Sequence, residues 1–146
     1  MGEMPGPLLG IDYGLERTGL AIAETGIAMP LGVLAMANFN NRGALFDEIA
    51  KIATEKSCAA IIMGLPLHVD GSENSFCGTV RKAALRIKRR AMLPLYFMPE
   101  TLSSEQAQAN LREARIPPLK IKQFIDQEAA RIILQSWLDA RARENP

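Results

Sequence analysis

The sequence has little of the chemistry on which zinc and disulfide-bonded proteins depend. Its 146 residues include two cysteines and one histidine. Cys58 and Cys77 do not form the close pairs typical of zinc motifs, so we expect no zinc site and two free thiols. Aromatic residues make up 5% of the chain, and stacking on nucleic-acid bases is therefore not expected to dominate any binding.

Long apolar runs are also missing. The longest ones fall well short of the roughly 18 residues that a membrane-spanning helix needs, and the chain does not open with a basic segment followed by an apolar one. We therefore expect a cytoplasmic protein without membrane contact. With 48% hydrophobic and 23% charged residues, the composition is typical of a globular protein, and its length fits one domain.

Positive charge is scarce in the first half of the chain. Residues 1–73 contain four Lys or Arg and nine Asp or Glu, a net charge of −5. Residues 74–146 contain thirteen and seven, a net charge of +6, although the whole chain carries only +1. This asymmetry between the halves favours a polyanionic partner.

Hydrophobic periodicity predicts an α/β protein. Three short apolar runs predict strands whose short connections favour antiparallel neighbours; they are Leu8–Asp12, Gly19–Ala23 and Met29–Leu34. Helices and strands then alternate. The two further strands are predicted at Ala59–Met63 and Leu95–Met98. The four helices are predicted from Asn41 to about Ser57, over about Ser75–Ala91, from Ser103 to a point before Pro117, and from about Phe124 to Arg143. The order predicts a mixed five-stranded sheet, with its three antiparallel strands first, flanked by helices.

Three acids occupy positions where solubility does not require an acid. Asp12 ends the first apolar strand, Glu100 follows the strand at Leu95–Met98, and Asp126 lies on the predicted inward face of the last helix. If the two strands are neighbours, the three carboxylates converge. Each acid also has a plain structural interpretation: a turn before Gly14 for Asp12, a solvated loop for Glu100, and stabilisation of a helix N-terminus for Asp126.

Convergent carboxylates would have a chemical use. Like charges in a partly dry site repel and raise each other's pKa. A divalent cation relieves that repulsion, and hard oxygen ligands suit Mg²⁺ or Mn²⁺. Two such ions can activate a water molecule and stabilise the leaving oxygen in phosphodiester cleavage.

Four segments together resemble the YqgF/RuvX family. They are "LLGIDYGLERTGLAIAE", "IIMGLPLHVDGSENS", "LPLYFMPETLSS" and "IDQEAARIILQSWLD", which extend over about Leu8 to Asp139. The family is described as Holliday-junction resolvases with an RNase H-like fold, implicated in maturation of pre-16S rRNA. The resemblance implies that residues 1–146 form a single RNase H-like nuclease domain.

The resemblance also implies roles for particular residues. Asp12, Glu100 and Asp126 match the family's three acids, which would form a catalytic triad that binds Mg²⁺ or Mn²⁺. Arg17 matches the basic residue of the first hairpin, and the second block is matched by Gly64, Leu65, Pro66, Asp70 and Gly71. The third block differs from the family pattern, because Pro99 replaces an acid and Thr101 replaces an arginine.

Two basic groups are candidates for binding phosphates. The stretch "RKAALRIKRR" and the segment before Asp126 would give salt-sensitive affinity for nucleic acid; the candidates are Arg81, Lys82, Arg86, Lys88, Arg89, Arg90, Lys120 and Lys122, together with His68 in the loop after the fourth strand. A solvated helix face is the alternative for the first group. The segment "PPLKIKQ" (117–123) is interpreted as an interhelical loop or as a segment that orders over substrate.

The leading hypothesis is a metal-dependent endonuclease that acts on structured nucleic acid, either junction DNA or precursor ribosomal RNA. A resolvase makes paired cuts, so a homodimer is plausible. Because Pro99 and Thr101 depart from the family pattern, a non-catalytic nucleic-acid-binding module is the alternative. An actin-like nucleotide-binding ATPase is disfavoured, because 146 residues leave no room for a second lobe.

Overall fold

A computed structural model of the chain describes residues 6–68, 70–100 and 118–144, with the side chains of residues 118–123 left out of the description. Five strands are present: β1 (Leu8–Asp12), β2 (Arg17–Ala23), β3 (Ala28–Ala35), β4 (Ala60–Pro66) and β5 (Leu95–Glu100). The α-helices in the described part of the chain are α1 (Arg42–Glu55), α2 (Cys77–Ala91) and α3 (Pro118–Glu144), and a 3₁₀ turn spans Met36–Asn38.

The strands form one mixed sheet in the order β3-β2-β1-β4-β5. The first three strands pair antiparallel, whereas β4 pairs parallel with both β1 and β5. The predicted fold class is therefore confirmed. The parallel pairing has a functional consequence, because it puts the carboxyl ends of β1, β4 and β5 at the same edge of the sheet.

Alternating side chains divide the core between the two faces of the sheet. Leu9 and Ile11 belong to the cluster that packs with α1 and α2, whose largest helix residues are Leu45, Phe46, Ile49, Val80 and Ile87. Leu8 belongs to the cluster on the opposite face, with α3 residues Ala130, Ile133 and Leu134. Since side chains alternate along a strand, Gly10 and Asp12 share the face of Leu8 and lie beneath α3.

Glycines let α3 lie directly on the sheet. A Cβ atom on Gly10 would lie 2.8 Å from Leu134 Cβ, and one on Gly64 would lie 2.5 Å from Ile133 Cδ1. The closest approach is at Gly19, where a Cβ atom would lie 1.9 Å from the backbone oxygen of Asp126. Only residues without a side chain allow the helix backbone to come this near.

Several predicted boundaries are wrong. The predicted last helix starts at Phe124, but α3 starts at Pro118, so most of 117–123 is helical and is not an interhelical loop. Proline suits the first turn of a helix, where its missing N–H has no partner to lose. Glu100 is also the last residue of β5 and does not follow the strand. The helix predicted from Ser103 lies outside the described residues.

The prediction of two free thiols is confirmed. Cys58 and Cys77 are both free thiols and both are buried. Among the helices that the structure describes, none combines the length and the apolar character needed to cross a membrane.

Gly19→Ala tests the contact between α3 and the sheet. We expect a loss of about 3 kcal/mol in the free energy of unfolding, because the new methyl group meets backbone atoms that cannot rotate away. Chemical denaturation measures this loss. Gly26→Ala is the matched control, since a Cβ atom there has no neighbour within 4 Å; equal stability of the two variants would contradict the packing described here.

Candidate active site

Asp12 lies at the carboxyl end of β1, on the face that α3 covers. Its backbone is registered opposite Gly19 of β2, the residue on which the backbone of Asp126 rests. Asp12 is half-buried. The glycine contact therefore brings the helix that carries one predicted acid to the strand that carries another.

Glu100 lies at the same edge of the sheet, on the far side of β4. Its backbone is registered with Pro66, and its carbonyl accepts a hydrogen bond from the Leu67 amide at 2.9 Å. Pro99 is exposed, and β5 is the edge strand of the sheet, which is a position where proline is tolerated. The proline therefore leaves Glu100 anchored in the strand.

Asp126 is paired with an arginine. Arg17 Nε donates a hydrogen bond to Asp126 Oδ2 at 2.7 Å, and Arg17 Nη1 lies 3.7 Å from Glu16 Oε2. The Asp126 side chain is 20% exposed and that of Arg17 is 51% exposed. The ion pair raises the pKa of Arg17, with the hydrogen bond to Asp126 as the largest cause, so the guanidinium is fully charged.

The three acids interact electrostatically. Burial, followed by the charges of Asp126 and Glu100, raises the pKa of Asp12 from the ordinary 3.8 to about 7. A carboxyl group whose pKa is raised in this way lacks sufficient positive charge nearby. The structure thus brings Asp12, Glu100 and Asp126 within electrostatic range of each other.

The donor chemistry of these acids suits a hard divalent cation. All three offer oxygen ligands only, and a cation would relieve the repulsion that raises the pKa of Asp12. Within 6–68, 70–100 and 118–144, however, no group of three or more His, Cys, Asp or Glu side chains is arranged to hold a metal ion.

Most of the predicted phosphate-binding residues lie elsewhere. Helix α2 packs on the face of the sheet opposite α3, and part of its charge is already engaged. Arg81 Nη2 lies 2.8 Å from Glu73 Oε2, and Arg90 Nε lies 2.7 Å from Asp47 Oδ1. The remaining exposed cations of α2 are Lys82, Arg86, Lys88 and Arg89, of which Arg86 lies over the Phe46 ring.

The other predicted phosphate contacts have different outcomes. His68 is exposed, in a loop where its amide donates to the carbonyl of Ser72 at 2.8 Å. Asp70 accepts from both the amide and the hydroxyl of Ser72, which lowers the pKa of Asp70. The side chains of Lys120 and Lys122 lie outside the described part of the chain.

Arg42 is a residue that the sequence reasoning missed. Its guanidinium donates to the Tyr13 hydroxyl at 3.0 Å and to the Leu15 carbonyl at 3.1 Å, so it braces the turn between Asp12 and Arg17. Tyr13 is buried and stacks on Phe76. The sequence did contain a signal for Arg42. It is the first residue of α1, where a cation is unfavourable because it opposes the helix dipole, and an unfavourable residue at such a position indicates another contact.

Comparisons with known sequences give a consistent result. The model of the family described as "RuvX: Holliday junction resolvase" matches residues 6–140. A protein of Nitratidesulfovibrio vulgaris (strain Miyazaki F), named "Putative pre-16S rRNA nuclease", is 41% identical over 133 residues, covering 90% of this chain and 92% of the relative. A protein of the same name from Thiobacillus denitrificans is 38% identical, with 93% of each chain covered.

Comparisons with solved structures show the fold. The Thermus thermophilus RuvC structure in complex with a Holliday-junction substrate is similar with a TM-score of 0.58 and 19% sequence identity. The match covers 94% of this chain and 96% of that one. A second Thermus thermophilus RuvC structure gives a TM-score of 0.55 with the same coverage. The fold is RNase H-like, as the resemblance implied.

The pKa of Asp12 predicts how stability depends on pH in the metal-free protein. The folded chain binds this proton more tightly than the unfolded chain, so stability falls as pH rises from about 4 to about 7 and levels off above that. Asp12→Asn removes this contribution. In the presence of a chelator, we expect the free energy of unfolding of the variant to exceed that of the parent by up to about 4 kcal/mol at pH 8 and by little at pH 4.

Urea denaturation of both proteins across this pH range measures the difference. A constant difference between the variant and the parent at every pH would contradict the raised pKa of Asp12.

Proposed function

Because the chain belongs to the RuvX family of Holliday-junction resolvases, we propose that it is a nuclease whose endonucleolytic activity on structured nucleic acid depends on a divalent metal. Relatives named for pre-16S rRNA, at 41% and 38% identity, support precursor ribosomal RNA as its substrate. The family description supports four-way junction DNA as the second candidate. Relatives named for pre-16S rRNA also favour a cytoplasmic role.

The observation that carries this proposal is the contact between the Asp126 backbone and Gly19, which is registered opposite Asp12, because it brings the two acids to the same edge of the sheet. A carboxyl group next to two further acids, in a half-buried position, is destabilised as an anion unless a cation joins it. We assign Asp12, Glu100 and Asp126 as the residues that would hold Mg²⁺ or Mn²⁺. When bound, such an ion supplies an activated water for attack on a phosphodiester and stabilises the leaving oxygen.

The chain's own residues prepare the site for a phosphate. Arg17 and Arg42 provide positive charge on either side of the turn that follows Asp12. Arg42 also stabilises this turn by donating a hydrogen bond to the Tyr13 hydroxyl. The exposed cations of α2 would attract more distant phosphates without reading sequence. If the substrate is a junction, paired cuts require two copies of this site, and the predicted homodimer would supply them.

One observation favours a second candidate function. Within the part of the chain that the structure describes, no three or more His, Cys, Asp or Glu side chains form a group that could hold a metal ion, which is compatible with a nucleic-acid-binding module that does not cleave. Such a module would show salt-dependent affinity for RNA and no cleavage with Mg²⁺ or Mn²⁺.

Removal of Asp12 or Asp126 separates these functions. We expect Asp12→Asn and Asp126→Asn each to reduce Mn²⁺-dependent cleavage by at least about a hundredfold while nucleic-acid binding persists, because ion binding is lost but the basic surface is intact. Cleavage of junction DNA, duplex RNA and a precursor rRNA fragment, followed on denaturing gels, measures this.

Asp139→Asn is the matched control for the second variant. It removes another acid of α3, one whose carboxylate contacts Gln135 and not Arg17. Cleavage by Asp12→Asn at the parental rate would refute the assignment, and an inactive parent with every metal would favour the binding module.

Removal of charge from α2 tests the binding surface. We expect the double variant Lys88→Gln and Arg89→Gln to bind RNA more weakly and to lower the slope of log affinity against log salt by about 1 to 2, since up to two phosphate contacts are lost. Fluorescence anisotropy at several salt concentrations measures the slope. Lys51→Gln with Lys56→Gln, both on or next to α1, is the charge-matched control; identical slopes for the two double variants would exclude α2 from the interface.

A further inference from the structure

The ion pair between Arg17 and Asp126 joins a predicted phosphate ligand to a predicted metal ligand. Arg17 is the first residue of β2 and Asp126 is on α3, 109 positions along the chain. The pairing follows from the fold, because Gly19, two residues after Arg17, is in contact with the Asp126 backbone. Both side chains are held to this place by the same close approach of helix and strand.

The contact engages one of the two carboxylate oxygens of Asp126. Arg17 Nε lies 2.7 Å from Oδ2 of Asp126, so a full positive charge already neutralises one of the three acids. Asp12, in contrast, has its pKa raised by the charges around it. The positive charge of Arg17 is thus placed against Asp126.

The ion pair is also easy to exchange. The Arg17 side chain is 51% exposed, and ion pairs with this access to water are weak. The guanidinium has five donors, of which Nε is used for Asp126, and its planar fork matches a phosphate as well as it matches a carboxylate.

We propose that Arg17 neutralises Asp126 while the site holds no cation, and that a divalent cation displaces it so that its guanidinium binds the substrate phosphate. The inference rests on the proposed function, since it takes Asp126 as a metal ligand. It predicts that the cation and Arg17 compete for Asp126. It also predicts that cation binding strengthens phosphate binding through Arg17.

The competition is tested without nucleic acid, by calorimetric titration of Mn²⁺ into the full chain. We expect Arg17→Gln to bind Mn²⁺ roughly two- to fivefold more tightly than the parent, because the competing charge is gone. Arg17→Lys keeps the charge and should remain closer to the parent. Lys51→Gln, which breaks an exposed ion pair with Glu55, is the control and should match the parent.

The binding of phosphate by a released Arg17 is tested with fluorescently labelled RNA in the presence of a chelator. Asp126→Asn releases Arg17, so RNA affinity should rise roughly two- to fivefold above that of Asp139→Asn, which removes the same charge from α3. This additional gain should vanish when Arg17→Gln is present in both variants.

The outcomes separate the inference from the proposed function. Mn²⁺ binding that needs Asp12 but is equal in the parent and in Arg17→Gln would overturn the role of Arg17 alone. An RNA gain in Asp126→Asn that persists without Arg17 would do the same. If no variant binds Mn²⁺ more tightly than Asp12→Asn does, the metal site of the proposed function fails and the inference fails with it.

Discussion

The site depends on one close contact, the backbone of Asp126 resting on Gly19. A Cβ atom at Gly19 would lie 1.9 Å from the Asp126 carbonyl oxygen, so no other residue fits without moving α3. Gly19 is registered with Asp12 across β1 and β2. The missing side chain therefore brings two distant acids to one edge of the sheet, and Arg17 with them.

That geometry brings negative charges together, and the positive charge nearby neutralises them only in part. Burial and the neighbouring acids raise the pKa of Asp12 to about 7, while Arg17 neutralises Asp126. Incomplete neutralisation suits the cation site that we propose, because a fully neutralised group of acids would attract a cation weakly. The instability of the charged acids would be the source of the proposed cation affinity.

Much of the fold could be predicted from local sequence. Period-two and continuous apolar runs identified all five strands, because burial in a sheet leaves a direct imprint on sequence. The start of α3 at Pro118 was missed because prolines were taken to end a helix, although they also suit its first turn.

The candidate site could be predicted only as a set of residues. The positions of Asp12, Glu100 and Asp126 pointed to convergence, but the ion pair with Arg17 and the hydrogen bond from Arg42 to Tyr13 join residues far apart in the chain. Such contacts depend on the packing of α3 and α1 against the sheet, which single-sequence periodicity does not encode. The edge position of Pro99 likewise became visible only with the strand order.

The most direct measurement is the anomalous diffraction of a crystal soaked in Mn²⁺. We expect manganese density at the carboxyl end of β1, bound by Asp12 and by at least one of Glu100 and Asp126, with the Arg17 guanidinium moved away from Asp126. Carboxylates that point to separate places, with no manganese between them and the Arg17 contact intact, would contradict this expectation.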